Sequence, residues 1–193
     1  MKVTREQAQE NRERVLQSAS RLFRERGFDG IGVADLMKDA GLTHGAFYGQ
    51  FGSKEALMVE ACTTAFEASA TRWRGIVEDH PEDGLAVIAS RYLTRRHRDD
   101  PGAGCCAASL SVDAARQGPA VRAAVGTGVD ALVSVLEGVS PGRTRRQRRR
   151  AALATFASLV GAVVLSRAVE DEGLSDEILE AVGEHVKAVA SGR

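Results

Sequence analysis

The apolar residues of this chain recur every three or four positions, and no segment shows the period of two expected of a half-buried strand. Glycine and proline divide the periodic stretches, notably at 80–84, 100–104 and 140–142. With 193 residues, 44% of them hydrophobic, the chain is long enough for a small domain joined to a larger one. The sequence therefore predicts an all-α fold.

Three helices are predicted within a first domain, residues 1–52. The first begins at a capping box of Thr4 and Gln7 and ends at Gly27. Its predicted apolar face comprises Val15, Ala19, Leu22 and Phe23. The second ends at Gly41, whose left-handed conformation suits a helix C-terminus, and Thr43 is the predicted N-cap of the third.

Two short helices joined by a tight turn, with a capped helix directly after them, are typical of a DNA-reading helix-turn-helix. If Phe47 faces inward, the outward surface of the third helix carries Thr43, His44, Gly45 and Tyr48. Ser53 is the predicted N-cap of the next helix, and Lys54 lies in its first turn. A DNA phosphate would offset this cation at a helix N-terminus, although an ordinary solvated lysine is the alternative.

Residues 40–57 resemble the TetR (tetracycline-repressor-like) family of bacterial transcription regulators. The family pattern runs Ala-Gly-hydrophobic-Ser/Thr-x-Gly-x-hydrophobic-Tyr-x-His-Phe-x-Ser/Asn-Lys-Glu-x-Leu, and Gln50 here replaces its histidine. The resemblance implies a homodimer that binds a double-stranded DNA operator, usually as a repressor, and responds to a small-molecule inducer. It also implies DNA contact by Thr43, His44, Gly45, Tyr48 and Lys54.

The charges balance, with 26 basic and 26 acidic residues, so affinity for DNA must come from a local patch. The predicted members of that patch are Lys2, Arg5, Arg12 and Lys54. Six further arginines lie between residues 143 and 150. We interpret this run as a solvated helix face rather than a second nucleic-acid site.

No secretory signal is visible, and the least charged segment, 151–166, falls short of the roughly 20 apolar residues that span a bilayer. We therefore expect a cytoplasmic protein without a membrane partner. The three cysteines and four histidines lack metal-site spacing, and no nucleophile has a recognisable base nearby. Neither a cofactor, a metal nor a catalytic residue is predicted. A helical ligand-binding protein or enzyme without operator function is the alternative of a different class.

Residues 53–193 are predicted to form a helical domain for ligand binding and dimerisation. Its last two helices are expected at about 145–172 and 175–190, and the first of these carries small residues four positions apart, which allow close helix packing: Ala154, Ser158, Ala162 and Ser166. Packing within one chain would explain this pattern. The family resemblance implies instead that these helices pair with a second subunit, through Phe156, Leu159, Val163, Ala154, Ser158 and Ala162.

The candidate ligand segments are 66–73, 85–93 and 105–112, with Phe66, Trp73 and Tyr92 as lining residues; ordinary core packing is the alternative. We find no charged constellation that indicates the chemistry of the ligand. Cys105 and Cys106 open a predicted helix, where a thiol tends to have a lowered pKa.

The pattern Gly-Cys-x-Ala-x-x-Leu-Ser at 104–111 is similar to that of the electrophile-sensing NemR-like subgroup of the family. That similarity implies that Cys105 is a sensor and Cys106 its partner. Inert packing of both thiols is the competing interpretation, because cysteine is among the most buried residue types.

Overall fold

A computed structural model describes residues 4–191 of the chain. Within that range the chain forms ten α-helices and no strand, which confirms the all-α prediction. The helices are α1 (Arg5–Arg26), α2 (Val33–Asp39), α3 (Phe47–Phe51), α4 (Lys54–Asp79), α5 (Gly84–Tyr92), α6 (Arg95–Asp99), α7 (Cys106–Ala114), α8 (Pro119–Val139), α9 (Arg145–Ala168) and α10 (Glu172–Ala190).

The first helix begins and ends at the predicted residues. The hydroxyl of Thr4 accepts the backbone N–H of Gln7 at 3.2 Å, and Gly27 ends the helix with φ of +75°. The side-chain amide of Gln7 donates to Glu10 instead of returning to Thr4, so only half of the predicted capping box forms. The buried residues of α1 are the predicted four: Val15, Ala19, Leu22 and Phe23.

The turn between α2 and α3 depends on Gly41. Its φ of +70° lies in the left-handed region that glycine adopts without steric cost. The N–H of Leu42 then donates to the carbonyl of Met37 at 2.8 Å, which closes the end of α2. This is the tight turn that the sequence predicts.

The longest helix, α4, joins the N-terminal three-helix head to the rest of the chain. Ser53 caps it by accepting the N–H of Ala56 at 3.0 Å. Its 26 residues span about 39 Å at 1.5 Å per residue. The early turns of α4 pack against α1 and the later turns pack against α5. Helix α8 packs along α4 from its first turn, where Gly118 meets Glu55.

The helical body contains two features that the sequence analysis missed. Helix α6 occupies the stretch before the break at 100–104, where no helix is predicted. Thr144 and Gln147 form a complete capping box at the start of α9. The last helix begins earlier than predicted, at Glu172, because Asp171 caps it by accepting the N–H of Leu174 at 2.7 Å.

The row of small residues on α9 winds from the surface into the core. A step of four residues advances about 400°, or 40° beyond a full turn, so three steps rotate the row by about 120°. Ala154 is accordingly exposed, Ser158 half-buried, and Ala162 and Ser166 buried. The row is therefore not one face of the helix.

The prediction that Phe156, Leu159, Ala162 and Val163 lie at a subunit interface needs correction. All four side chains are at most 6% exposed, and they face the core of their own protomer. The outer side of α9 carries the exposed residues Leu153, Ala154, Ala157 and Leu165. Of the predicted set, Ala154 lies on this outer side and Ser158 is half-buried.

Helices α8 and α9 are long and apolar enough to cross a membrane by length and composition alone. Each buries one side within the body, α8 against α4 and α9 against α8 and α10. Core helices of globular proteins share this pattern, which accounts for the apolar character of residues 151–166.

Candidate nucleic-acid interface and ligand cavity

The reading element is a tight turn that continues into α3. Thr43 precedes a 3-10 turn, His44–Ala46, and its side chain makes no capping hydrogen bond. The rings of Phe47 and Phe51 are buried and stacked, with centroids 5.7 Å apart, and they anchor the element to the head. The α-helix is therefore shorter than the continuous helix predicted from Thr43, because its first turn is a 3-10 turn.

The predicted DNA-contact residues of this element share one solvent-facing surface. Thr43, His44, Gly45 and Tyr48 are all exposed, and Tyr48 has 60% of its surface accessible. The rings of His44 and Tyr48 meet edge to face, with centroids 5.8 Å apart. A hydroxyl, an imidazole and a phenol thus project together from the N-terminal side of α3.

Of the predicted basic patch, Lys54 and Arg5 remain available and Arg12 does not. Lys54 is half-buried in the first turn of α4, and Arg5 is exposed on α1, while Lys2 lies outside the described residues. The guanidinium of Arg12 donates to both carboxylate oxygens of Glu60, at 2.5 and 2.6 Å. Arg12 therefore ties α1 to α4, and its prediction as a phosphate contact is wrong.

Gln50, which replaces the histidine of the family pattern, is half-buried on α3. Its Oε1 atom is buried and has no hydrogen-bond partner among residues 4–191. Its side chain therefore keeps an unused acceptor next to the exposed reading residues.

The arginine run at 143–150 lies at the start of α9, in the body. Arg145, 84% exposed, donates to Glu137 at 3.0 Å, and Arg149 pairs with Asp130 at 2.5 Å. Acidic residues of α8 thus offset cations at a helix N-terminus, where cations are unfavourable. This arrangement fits a solvated, ion-paired face.

A cavity of about 360 Å³ lies between α4, α5, α6 and the turn that precedes α7. Three of the predicted ligand residues line it: Trp73, Tyr92 and Cys105. Phe66 does not, because its ring packs against α8 at Gly128. Cys106 also points elsewhere, so the prediction is corrected for these two residues.

The thiol of Cys106 pairs with a cysteine from a distant part of the chain. Its Sγ donates to the Sγ of Cys62 on α4, at 3.9 Å, and both thiols are buried. The contact with Cys62, together with burial, raises the pKa of Cys106. The expectation that the helix start lowers its pKa is therefore wrong, since α7 begins inside the core.

Charged residues that the sequence analysis did not connect also line the cavity. Arg72 from α4, Arg91 from α5 and Arg96 from α6 meet there, together with a single acid, Asp100. The statement that no charged constellation marks the ligand site is thus corrected. Only the run of basic residues at 95–98 gave a local signal of it. Among residues 4–191, no group of three potential metal-ligating side chains occurs.

His97 is fixed at the wall of the cavity by both ring nitrogens. Its Nε2 accepts the backbone N–H of Cys105 at 2.9 Å, so its Nδ1 must donate to the carbonyl of Tyr92, at 2.7 Å. Burial lowers the pKa of His97. The imidazole is therefore neutral, and neither nitrogen is free for a ligand.

The same turn that closes the cavity is held by the head. Arg24 of α1 donates to the carbonyl of Gly102 through Nε, at 2.9 Å, and through Nη2. The N–H of Phe28 donates to Asp113 of α7 at 3.1 Å. A change in the turn or in α7 would thus act directly on α1.

Comparison with known proteins agrees with this geometry. The family model for bacterial regulatory proteins of the tetR family matches residues 15–61, which include α2, the glycine turn and α3. Over 70 residues the chain is 36% identical to the uncharacterized HTH-type transcriptional regulator YerO of Bacillus subtilis, covering 36% of this chain and 24% of that protein. It is 27% identical over 130 residues to the HTH-type transcriptional repressor NemR of Escherichia coli, covering 66% of this chain and 65% of NemR.

The matched segments span less than two thirds of both relatives. Solved structures extend the likeness of fold to nearly the whole chain. The crystal structure of reduced E. coli NemR superposes with a TM-score of 0.79 at 24% identity, covering 93% of this chain and 96% of NemR. A TetR transcriptional regulator from Chloroflexus aurantiacus gives 0.78 at 25% identity, covering 95% of each chain.

These relatives are transcriptional regulators and not enzymes, in agreement with the prediction of a regulator rather than an enzyme. The helix-turn-helix, the matched family model and the shared architecture lead to one conclusion. Residues 15–61 match the TetR family of bacterial regulatory proteins, and nearly the whole chain has the fold of TetR-family regulators.

Proposed function

We propose that this regulator is a cytoplasmic homodimer that represses transcription by binding a palindromic DNA operator, and that a small-molecule inducer releases it. The observation that carries the proposal is the exposed cluster of Thr43, His44 and Tyr48 on a reading element fixed by the Gly41 turn. Hydroxyl, imidazole and phenol groups form hydrogen bonds with base edges and phosphates in a major groove.

The backbone contact is assigned to the start of α4. Free amides at a helix N-terminus attract phosphate oxygens, and Lys54 adds a full positive charge at the same point. A dimer would present two such reading elements to half-sites about 34 Å apart. Contacts with phosphates make the affinity steeply dependent on salt concentration.

We assign the release of DNA to the cavity and to the turn at residues 100–104 that borders it. A ligand that displaces residues 100–104 moves the carbonyl of Gly102, which Arg24 of the head holds. The resulting shift of α1 changes the separation of the two reading elements. The inducer needs only to bind the DNA-free arrangement more tightly than the DNA-bound one.

A second mode of release involves covalent modification of Cys105. This side chain lines the cavity, and small electrophiles that enter the cavity would meet its thiol. With a maleimide, the thiolate sulfur adds to one alkene carbon and a solvent proton adds to the other. The added group would then occupy the cavity in place of a reversible inducer.

The test is fluorescence anisotropy of a labelled DNA fragment from the region upstream of the gene. Wild-type protein should bind with an affinity that falls as salt rises. His44→Ala combined with Tyr48→Phe should weaken binding at least tenfold, about 1.4 kcal/mol. Thr64→Ala, at an exposed position of α4, is the matched control and should bind as the wild type does.

Undiminished binding by the double variant would refute the proposed reading surface. The same titration with added N-ethylmaleimide separates the two modes of release. Loss of the wild-type complex with retention of the Cys105→Ser complex supports the thiol. Equal loss from both proteins, or no loss from either, excludes Cys105 as the sensor.

A further inference from the structure

The polar groups of the cavity divide into those used by the protein and those left free. Ser69, Thr94 and His97 each form a hydrogen bond within the fold, and Asp100 accepts the N–H of Ala103 at 3.1 Å. The hydroxyl of Tyr92 forms none, although the residue is only 5% exposed. A buried hydroxyl without a partner is costly, so this one is a candidate ligand contact.

The arginines that line the cavity also lack partners within the described part of the chain. Arg72, Arg91 and Arg96 form no ion pair or hydrogen bond through their side chains with residues 4–191. Elsewhere, arginines such as Arg12 and Arg98 pair with carboxylates. The unpaired groups thus converge on one space.

All of these free groups can donate a hydrogen bond. Burial, followed by the neighbouring Cys105, raises the pKa of Tyr92 well above its ordinary value, so the phenol keeps its proton. Arginine has donors only, and its planar fork matches a carboxylate. The one acidic group in the lining, Asp100, already accepts the N–H of Ala103, so the three arginines have no matching carboxylate within the fold.

One wall of the cavity is apolar and largely aromatic. The rings of Trp73 and Tyr92 meet edge to face with centroids 5.9 Å apart, and Phe156 supports Trp73 from behind at 6.1 Å. Ile76 and Ile88 complete this apolar wall. Aromatic groups pack favourably against such edges.

We propose that the cavity binds an aromatic carboxylate, with its ring system on the Trp73 wall and its carboxylate between the three arginines and the Tyr92 hydroxyl. This inference rests on the proposed function, because it names the chemical class of the inducer. A volume of about 360 Å³ lies at the small end of ligand pockets and suits a bicyclic acid.

The test is isothermal titration calorimetry of the DNA-free protein with naphthalene-2-carboxylate and with the neutral naphthalene-2-carboxamide. The carboxylate should bind at least tenfold more tightly than the amide. Replacing Arg72, Arg91 and Arg96 together with glutamine should weaken carboxylate binding at least tenfold and leave amide binding within twofold. Arg74→Gln, on the same helix but outside the cavity, should leave both unchanged.

Tyr92→Phe provides a test that does not depend on charge. Removing an unpaired hydroxyl should not lower the thermal stability of the free protein, yet it should weaken carboxylate binding several-fold. Equal binding of acid and amide, no binding of the acid, or full affinity in the triple arginine variant would overturn the inference. Carboxylate binding that leaves the DNA complex intact would support the ligand class and refute release as part of the proposed function.

Discussion

At the scale of residues, His97 shows how the cavity is kept in shape. One ring nitrogen accepts the N–H of Cys105 and the other donates to the carbonyl of Tyr92, so a single neutral side chain joins α5 to the start of α7. Burial lowers its pKa below the ordinary value of 6.5, and the positive charges of Arg167 and Arg72 add to that effect. Protonation would cost the hydrogen bond that Nε2 accepts.

The free energy of unfolding should therefore fall as the pH drops below about 6.5. In that range the unfolded chain takes up a proton that the native imidazole does not yet bind. Stability thus rises with pH, by at most about 1.4 kcal/mol per pH unit from this residue. Urea unfolding at several pH values between 5 and 8, at fixed protein concentration, measures the slope.

His97→Gln should lower the overall stability and also reduce that slope. His185→Gln, at an exposed histidine of α10, is the matched control and should keep the wild-type slope. An unchanged slope in the His97 variant would show that other groups govern the pH dependence.

Single residues also show where sequence reasoning reaches its limit. Gly41, Ser53 and the buried face of α1 were predictable, because capping and helical periodicity depend on neighbours within a few positions. The contact of Cys106 with Cys62, 44 residues away, was not. The convergence of Arg72, Arg91 and Arg96 was not predictable either. Each lies on a different helix, and no local sequence pattern indicates that the three line one cavity.

At the scale of elements, the packing of α4 on α8 depends on one glycine. A Cβ atom built at Gly128 would lie 2.1 Å from Cγ of Phe66, a fully buried ring that cannot move aside. At Gly126, two residues earlier on α8, a Cβ atom would meet nothing within 4 Å. The same substitution should therefore have opposite effects at the two positions.

Gly128→Ala should destabilise the protein by about 1–3 kcal/mol through overpacking. Gly126→Ala should stabilise it by up to about 1 kcal/mol, because alanine has the higher helix propensity. Thermal unfolding of both variants beside the wild type measures the two effects. Similar stability for the two variants would contradict the close packing of Phe66 on α8.

The α9 helix explains why the predicted subunit interface was misplaced. Composition and spacing correctly predicted an apolar helix with small residues. Residues four positions apart rotate about the helix axis, however, so their spacing does not indicate which side of the helix faces outward. The protomer's own core takes up the large residues, such as Phe156 and Leu159. Orientation of a helix about its axis is a tertiary property, set by its neighbours α8 and α10.

At the scale of the whole molecule, an apolar surface remains on the outer side of the last two helices. Leu153 and Leu165 of α9 are 44% and 56% exposed, and Leu174 at the start of α10 is 46% exposed. Side chains of this size are costly to leave in water. We propose that this surface, together with the exposed Ala154, joins the two subunits in place of the buried residues of the predicted set.

Leu165→Glu should convert the dimer into a monomer, because a carboxylate would be buried without a partner in the interface. Light scattering after size-exclusion chromatography measures the mass, and circular dichroism should show an unchanged helix content. Val112→Glu is the matched control, since Val112 of α7 is equally exposed, at 59%, but lies outside this surface. A dimer that survives Leu165→Glu would move the interface elsewhere.

The contacts between the head and the body limit where the domains of two related regulators can be joined in a chimera. Arg12 binds Glu60, Arg24 holds Gly102 and the N–H of Phe28 meets Asp113, so the head interlocks with the body well beyond residue 52. A chimera cut at residue 52 would separate each of these partners. A natural or engineered hybrid of two relatives should therefore keep its signalling only when α1 and its contact residues in the body come from the same parent protein.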